Sequence, residues 1–95
     1  MKNYFIYILA SKRNGTLYIG VTSDLIKRVY LHKKKKVDGF TKRYKIDKLV
    51  YYELFENCND AIKREKQLKE WRRSWKLKLI EDKNKEWTDL YYKLT

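Results

Sequence analysis

Tyr7, Tyr18, Arg28, His32 and Glu65 are the residues of this chain whose types and spacing could do chemistry. The tyrosines stand in two aromatic, β-branched stretches, YFIYILA at 4–10 and TLYIGV at 16–21. Gly20 closes the second stretch two residues after Tyr18, and a glycine at a strand end suggests close approach of another backbone or a ligand. Arg28 and His32 lie one helical turn apart. At about 100° per residue they fall on the side of Leu25, Ile26 and Val29. Glu65 falls in the middle of the arc drawn by Ala61, Ile62, Leu68 and Trp71. Charged or titratable groups aimed at a core are costly unless paired or coordinated. One reading is an internal ion pair, Arg28 with Glu65, that serves only the fold. The other is a cleft where these groups meet solvent, a metal or a phosphate. Two tyrosines, an arginine, a histidine and a glutamate able to converge on one place favour the cleft.

The elements that must position them follow from the pattern. YFIYILA is apolar on both faces, which predicts a central strand covered on both sides. Its sequence context, MKNYFIYILAS, is read as a strand and not a leader, because the apolar stretch is brief and carries Tyr4 and Tyr7. SKRNG at 11–15 is a turn ending in Asn-Gly, and 16–21 returns as the hairpin partner. Thr22 or Ser23 caps a helix to about residue 34, with Asp24 in its first turn. Residues 37–44 form a loop turning at Gly39, and 48–56 make a third strand. Asn59 or Asp60 caps a helix over 61–72, and Ser74 caps another over about 75–83. Trp71 and Trp75 are read as packing those two helices together. The aromatic tail KEWTDLYYKLT docks back on the domain. The expected fold is a single α+β domain over 1–95, with a core at about 3–83 and a docked tail at 84–95. Its sheet is three-stranded and mainly antiparallel, in ββαβαα order, flanked by helices.

Composition narrows the partners. Ninety-five residues make one small domain, and 43% hydrophobic content with nine Tyr and three Trp suits a packed core. A net charge of +12, from 24 basic and 12 acidic residues, predicts attraction to a polyanion, nucleic acid before an anionic membrane surface. Lys33, Lys34, Lys35 and Lys36, with Lys42 and Arg43 in the following loop, would grip a phosphate backbone; singly, each could be a solvated face. Thr41 and Tyr44 could add a phosphate hydrogen bond and a base-stacking face. Cys58 and His32 are the only residues of their types, which excludes an intrachain disulfide, a cysteine-built zinc site and a multi-histidine site. No run approaches the ~18 apolar residues of a membrane span, so a soluble, cytoplasmic chain without a membrane partner is expected.

Phe5-Ile6-Tyr7 and Tyr18-Ile19-Gly20 resemble the two short strand motifs of GIY-YIG nuclease domains. The spacing from Tyr18 to Arg28 and His32, and Glu65 within AIKREKQLKEW, is similar to the same family. VDGFTKRY and EWTDLYYKL resemble its small, stand-alone bacterial branch, related to the UvrC amino-terminal domain. The likeness runs over nearly the whole chain. Phe5 stands where the first motif has glycine, at a strand position that carries no chemistry. The resemblance implies a compact domain with one divalent metal ion, magnesium or manganese, that hydrolyses a DNA phosphodiester in repair or in processing unusual DNA structures. It implies Glu65 as the sole protein carboxylate on the metal and Arg28 on the scissile phosphate. Tyr7 or Tyr18 would take a proton from the attacking water, and His32 would orient a tyrosine or shuttle its proton. The alternative is a catalytically weak or inactive DNA- or RNA-binding module, acting with a partner protein that supplies target recognition. A general polyanion or membrane-surface binder would leave Arg28, His32 and Glu65 unexplained. The oligomeric state stays open.

Overall fold

The computed structural model describes residues 2–36 and 39–95. Strands β1 (Tyr4–Ala10), β2 (Leu17–Thr22) and β3 (Lys48–Phe55) form an antiparallel sheet in the order β2-β1-β3. The central place of β1 matches its apolar faces: Ile6, Tyr7, Ile8, Leu9 and Ala10 are each at most 1% exposed. Asn14 takes the positive φ of the β1–β2 turn.

The helices begin at places that differ in detail from the predicted caps. Helix α1 (Leu25–Lys33) is capped by Asp24, whose carboxylate accepts from the Lys27 N–H at 3.1 Å. The Thr22 hydroxyl instead accepts from the Asp24 N–H, fixing the entry to the cap. Helix α2 (Gly39–Tyr44) replaces the predicted loop, anchored by the buried side chain of Thr41; Val37 and Asp38 of that segment lie outside the described residues. Helix α3 (Cys58–Glu70) starts earlier than predicted, because the Asn57 carboxamide oxygen takes the N–H groups of both Asn59 and Asp60. Helix α4 (Arg73–Lys83) contains Ser74 instead of being capped by it. A short α5 (Tyr91–Leu94) ends the chain. No helix among the described residues is long and apolar enough to cross a membrane.

Side chains alternate across a strand, so each sheet face has its own core. On one face Ile6, Ile8 and Ile19 pack under Ala61 and Leu68 of α3 and Ile80 of α4. On the other, Tyr7, Leu9 and Leu49 pack under Leu25 and Val29 of α1, joined by Leu90, Tyr91 and Leu94. Ile26, expected in that core, is 43% exposed. The last segment is tied down by the Leu90 N–H on the Leu49 carbonyl at 2.7 Å and by Asp89, which accepts from the Leu49 N–H and from Lys33. Thus α1 and α3 cover opposite faces, and their polar groups can meet only around an edge of the sheet, β2 or β3.

One polar cluster pins α3 to β3. Arg64 donates to both carboxylate oxygens of Glu53, at 2.9 and 3.0 Å, and Tyr51 donates to the same carboxylate. Burial raises the Glu53 pKa, but the hydrogen bonds from Arg64 and Tyr51 and the Arg64 charge outweigh it, so the carboxyl titrates below its ordinary value. A carboxyl depressed by folding stabilises above its unfolded pKa, about 4.3 for glutamate, and that stability is lost as pH falls through the folded value. Urea unfolding from pH 7 to pH 3 should therefore show an acid-side loss of stability. Glu53→Gln should be less stable at pH 7 and show a shallower acid limb. An acid limb identical in both proteins would exclude Glu53 as its source.

Candidate active site

Tyr7 stands at the middle of β1, opposite Gly20 on β2. Its side chain lies across that glycine. A Cβ built on Gly20 would sit 2.5 Å from the Tyr7 hydroxyl and 2.6 Å from Cζ. The requirement is one of space, since Gly20 does not use a positive φ. The Tyr7 hydroxyl then lies 3.2 Å from Nε2 of His32, which α1 brings down onto the sheet. His32 Nδ1 lies 3.1 Å from the Thr41 hydroxyl of α2. Tyr18 shares this sheet face, its ring centroid 5.4 Å from His32 and 6.3 Å from Tyr7.

Tyr7, His32 and Thr41 are buried, whereas Tyr18 is only half-buried. Each imidazole nitrogen meets a hydroxyl, and a hydroxyl can donate or accept. Either neutral tautomer is therefore hydrogen-bonded, and so is the imidazolium. The Tyr7–His32–Thr41 chain thus gives each ring nitrogen a hydroxyl partner. Arg28 lies one turn before His32, half-buried, with Nε shielded from solvent.

Glu65 approaches from the other sheet face on α3. Its carboxylate takes Lys69 as ion partner at 3.3 Å. Lys69 and Lys76 of α4 line a groove of about 240 Å³ along the free edge of β2, together with Leu17, Tyr18 and Ile19. The edge thus gathers a tyrosine from one face and a carboxylate–ammonium pair from the other. Lys69 and Lys76 lie within KREKQLKEWRRSWKLK, which reads in the sequence as a second basic surface but does not say which lysines turn to the sheet.

Two expected backbone-binding residues are placed elsewhere. The Lys33 ammonium donates to the Asp47 carbonyl at 2.9 Å and to Asp89, and it sits 5.2 and 5.1 Å from the ring centres of Tyr91 and Tyr92. It is spent on docking the tail and cannot reach a phosphate without undoing that contact. Thr41 is sealed behind His32. Lys34, Lys35, Lys36, Lys42 and Arg43 are exposed. Tyr44 is 50% exposed, with Phe40 5.0 Å away and the Arg43 guanidinium 5.8 Å from its ring centre.

Among the described residues no group of three His, Cys, Asp or Glu could hold a metal ion. Glu65, paired to the groove-lining Lys69, offers one carboxylate. This donor set fits a hard cation such as magnesium, which accepts one carboxylate and keeps several waters.

The family described as the GIY-YIG catalytic domain matches residues 3–78. A UPF0213 protein of Staphylococcus saprophyticus is 38% identical over 82 residues, which is 86% of this chain and 99% of that protein. A UPF0213 protein of Staphylococcus aureus is 35% identical over 83 residues, 87% of this chain and 100% of that protein. The solution NMR structure of the UPF0213 protein BH0048 from Bacillus halodurans aligns with a TM-score of 0.54 at 28% identity, covering 86% of each chain. The three-stranded α+β architecture is shared with that neighbour.

The Tyr7–Gly20 contact is open to test. Gly20→Ala should push the phenol off its seat or displace β2, an overpacking cost of about 1–3 kcal/mol. His32 is the only histidine, so its ring signals in an NMR spectrum report the Tyr7 bond directly. The expected result is a lower urea midpoint together with shifted His32 ring signals. An unchanged midpoint and spectrum would show that the phenol does not need the gap.

Proposed function

This chain belongs to the family of GIY-YIG catalytic domains, and from that premise we propose a nuclease that hydrolyses a DNA phosphodiester at the free edge of β2, with magnesium or manganese as cofactor. The observation that carries the reading is the juxtaposition at that edge. Tyr18 shares a groove with Lys69 and Lys76, Glu65 is paired to Lys69, and the Tyr7–His32–Thr41 chain stands behind Tyr18.

Each group has a role suited to its surroundings. Tyr18 is the proton acceptor, because it is half-buried on the groove while Tyr7 is only 1% exposed. A phenol titrates near pH 10, and cations beside it favour the phenolate. Lys69 and Lys76 line the same groove as Tyr18. Tyr7 holds His32 in place, and His32, in ring contact with Tyr18, shuttles the proton onward. Arg28 holds the scissile phosphate and stabilises the charge that grows on its oxygens. Glu65 holds the cation, which when bound supplies Lewis-acid stabilisation of the phosphate. Lys69 must then release Glu65. The Lys69 side chain is 54% exposed and free to swing into solvent, while Glu65, 15% exposed, stays held on α3.

Lys34, Lys35, Lys36, Lys42 and Arg43 grip the phosphate backbone, and Tyr44 offers a stacking face. Lys33 and Thr41 belong to the docking of the tail and to the seat of His32. The activity fits cytoplasmic DNA repair or processing of unusual DNA structures, with a partner protein able to add target recognition.

A gel assay tests this reading. Supercoiled plasmid and branched, flapped and single-stranded DNAs are incubated with protein in magnesium, manganese or EDTA. Metal-dependent cleavage is expected, lowered about 10²-fold or more by Glu65→Ala and by Arg28→Ala with binding retained. Tyr18→Phe should lose more activity than Tyr7→Phe. Binding without cleavage by the unaltered protein in both metals would move the assignment to a binding module that acts with a partner.

A further inference from the structure

Between α3 and α4 the chain turns through an elbow at Trp71 and Arg72 that the catalytic reading leaves unused. Both tryptophans of this region were expected to pack the helices. Trp71 does so, half-buried against the core under α3. Trp75 does not: its indole is 50% exposed, with Trp71 edge-on at 6.0 Å and the Arg72 guanidinium 4.9 Å from its ring centre. With Trp71, Lys78, Leu79 and Asp82 it lines an open, largely apolar groove of about 470 Å³.

Two observations connect this groove to the active edge. Arg73 Nη2 donates to the carbonyls of Asn14 and Gly15, both at 2.7 Å, which fastens the start of α4 to the β1–β2 turn. Lys76, next to Trp75 in the chain, lines the groove beside Tyr18 with Lys69. Cations therefore stand beside both Tyr18 and the exposed indole, Lys76 without an acid partner among the described ion pairs, Lys69 paired with Glu65 and Lys78 with Asp82. Residues 69–78 hold Lys69, Arg72, Arg73, Lys76 and Lys78 against the single acid Glu70.

The occupant follows from that chemistry. Ammonium groups complement phosphates, and an exposed indole needs a free π-face to stack on. A duplex hides its base faces in its own stack, whereas an unpaired strand presents them. We propose that the α3–α4 elbow is a subsite for an unpaired DNA strand flanking the scissile phosphate, with Lys69 and Lys76 on its phosphates and a base stacked at Trp75 and Arg72. The word scissile rests on the nuclease reading; the binding surface does not.

The test is a fluorescence titration of the full chain in EDTA, where metal-dependent cleavage does not proceed. The probes are an oligothymidylate of about 12 nucleotides and a duplex of matching length, long enough for one such site. Trp87 is buried, so Trp75 is the tryptophan most open to quenching. Oligothymidylate should quench the emission and protect it from iodide, and the duplex should do neither to the same extent. Trp75→Ala and Trp75→Leu should each lose about tenfold in affinity for the single strand, while Trp75→Phe retains most of it. Circular dichroism confirms that each variant is folded. Lys69→Glu with Lys76→Glu should weaken binding and flatten its salt dependence. Equal affinity of unaltered protein and Trp75→Ala, or equal response to single strand and duplex, would overturn the proposal. If the fluorescence response holds but the unaltered protein cuts no DNA in either metal, the nuclease reading falls and the platform stands. If cleavage holds and oligothymidylate leaves the emission unmoved, the platform falls and the nuclease reading stands.

Discussion

The space above Gly20 is the constraint on which the rest of the site depends. Only a residue without a side chain leaves room for the Tyr7 ring to lie across β2. That ring sets the height at which α1 can sit, because its hydroxyl must meet His32. His32 in turn requires a partner for its second nitrogen, and Thr41 supplies it from α2. Leaving any one of these buried groups unbonded would cost about 1–3 kcal/mol. The chain of contacts therefore positions two helices over the sheet as well as three side chains. Arg28 lies one turn before His32 on the same helix.

The second constraint is topological. With α1 on one face of a three-stranded sheet and α3 on the other, inward-pointing polar groups are separated by a layer of backbone. They can share a site only by reaching around an edge. Of the two edge strands, β2 and β3, it is β2 that carries Tyr18 and leads directly into α1. An exposed edge strand invites pairing with another chain, and charged side chains along it prevent this. Lys69 and Lys76 flank that edge here. The same ammonium groups that discourage strand addition make the groove attractive to phosphate, so one placement serves solubility and recognition together.

Much of this was legible in the sequence, and the unread parts share physical causes. A strand apolar on both faces has to be central, so β1 could be placed from its residues alone. Helical spacing brought Arg28 and His32 to one side, and it put Glu65 towards the sheet. What periodicity cannot report is contact between elements. Thr41 looked like a surface loop residue because its partner, His32, lies on another helix. Lys33 looked like its three neighbours because a lysine run has no internal contrast; helix phase alone turns the first of them to Asp89 and the tail. Trp75 looked like core because a tryptophan four residues after another usually packs. The elbow at Trp71 and Arg72 breaks the helix between them and changes the phase. The caps slipped by one to three residues because several neighbouring Asn, Asp, Ser and Thr could each serve, and the backbone geometry chose among them.

Charge placement is the last link between fold and function. A net charge of +12 repels itself, and the chain could have spread its acids evenly to relieve this. Asp89 answers Lys33, Asp47 answers Lys48 and Glu53 answers Arg64 towards the β3 side or the docked tail, and Asp82 pairs with Lys78 on α4. Along the edge of β2 and the elbow, Arg73 bonds to carbonyl oxygens, which satisfy its hydrogens without cancelling its charge. Lys69 is paired with Glu65, the carboxylate that the proposed chemistry reassigns to a cation. Lys69 and Lys76 line the groove beside Tyr18, and charges act over about one Debye length, about 8 Å at physiological salt. Released from Glu65, the Lys69 ammonium would join Lys76 in attracting a phosphate to that edge.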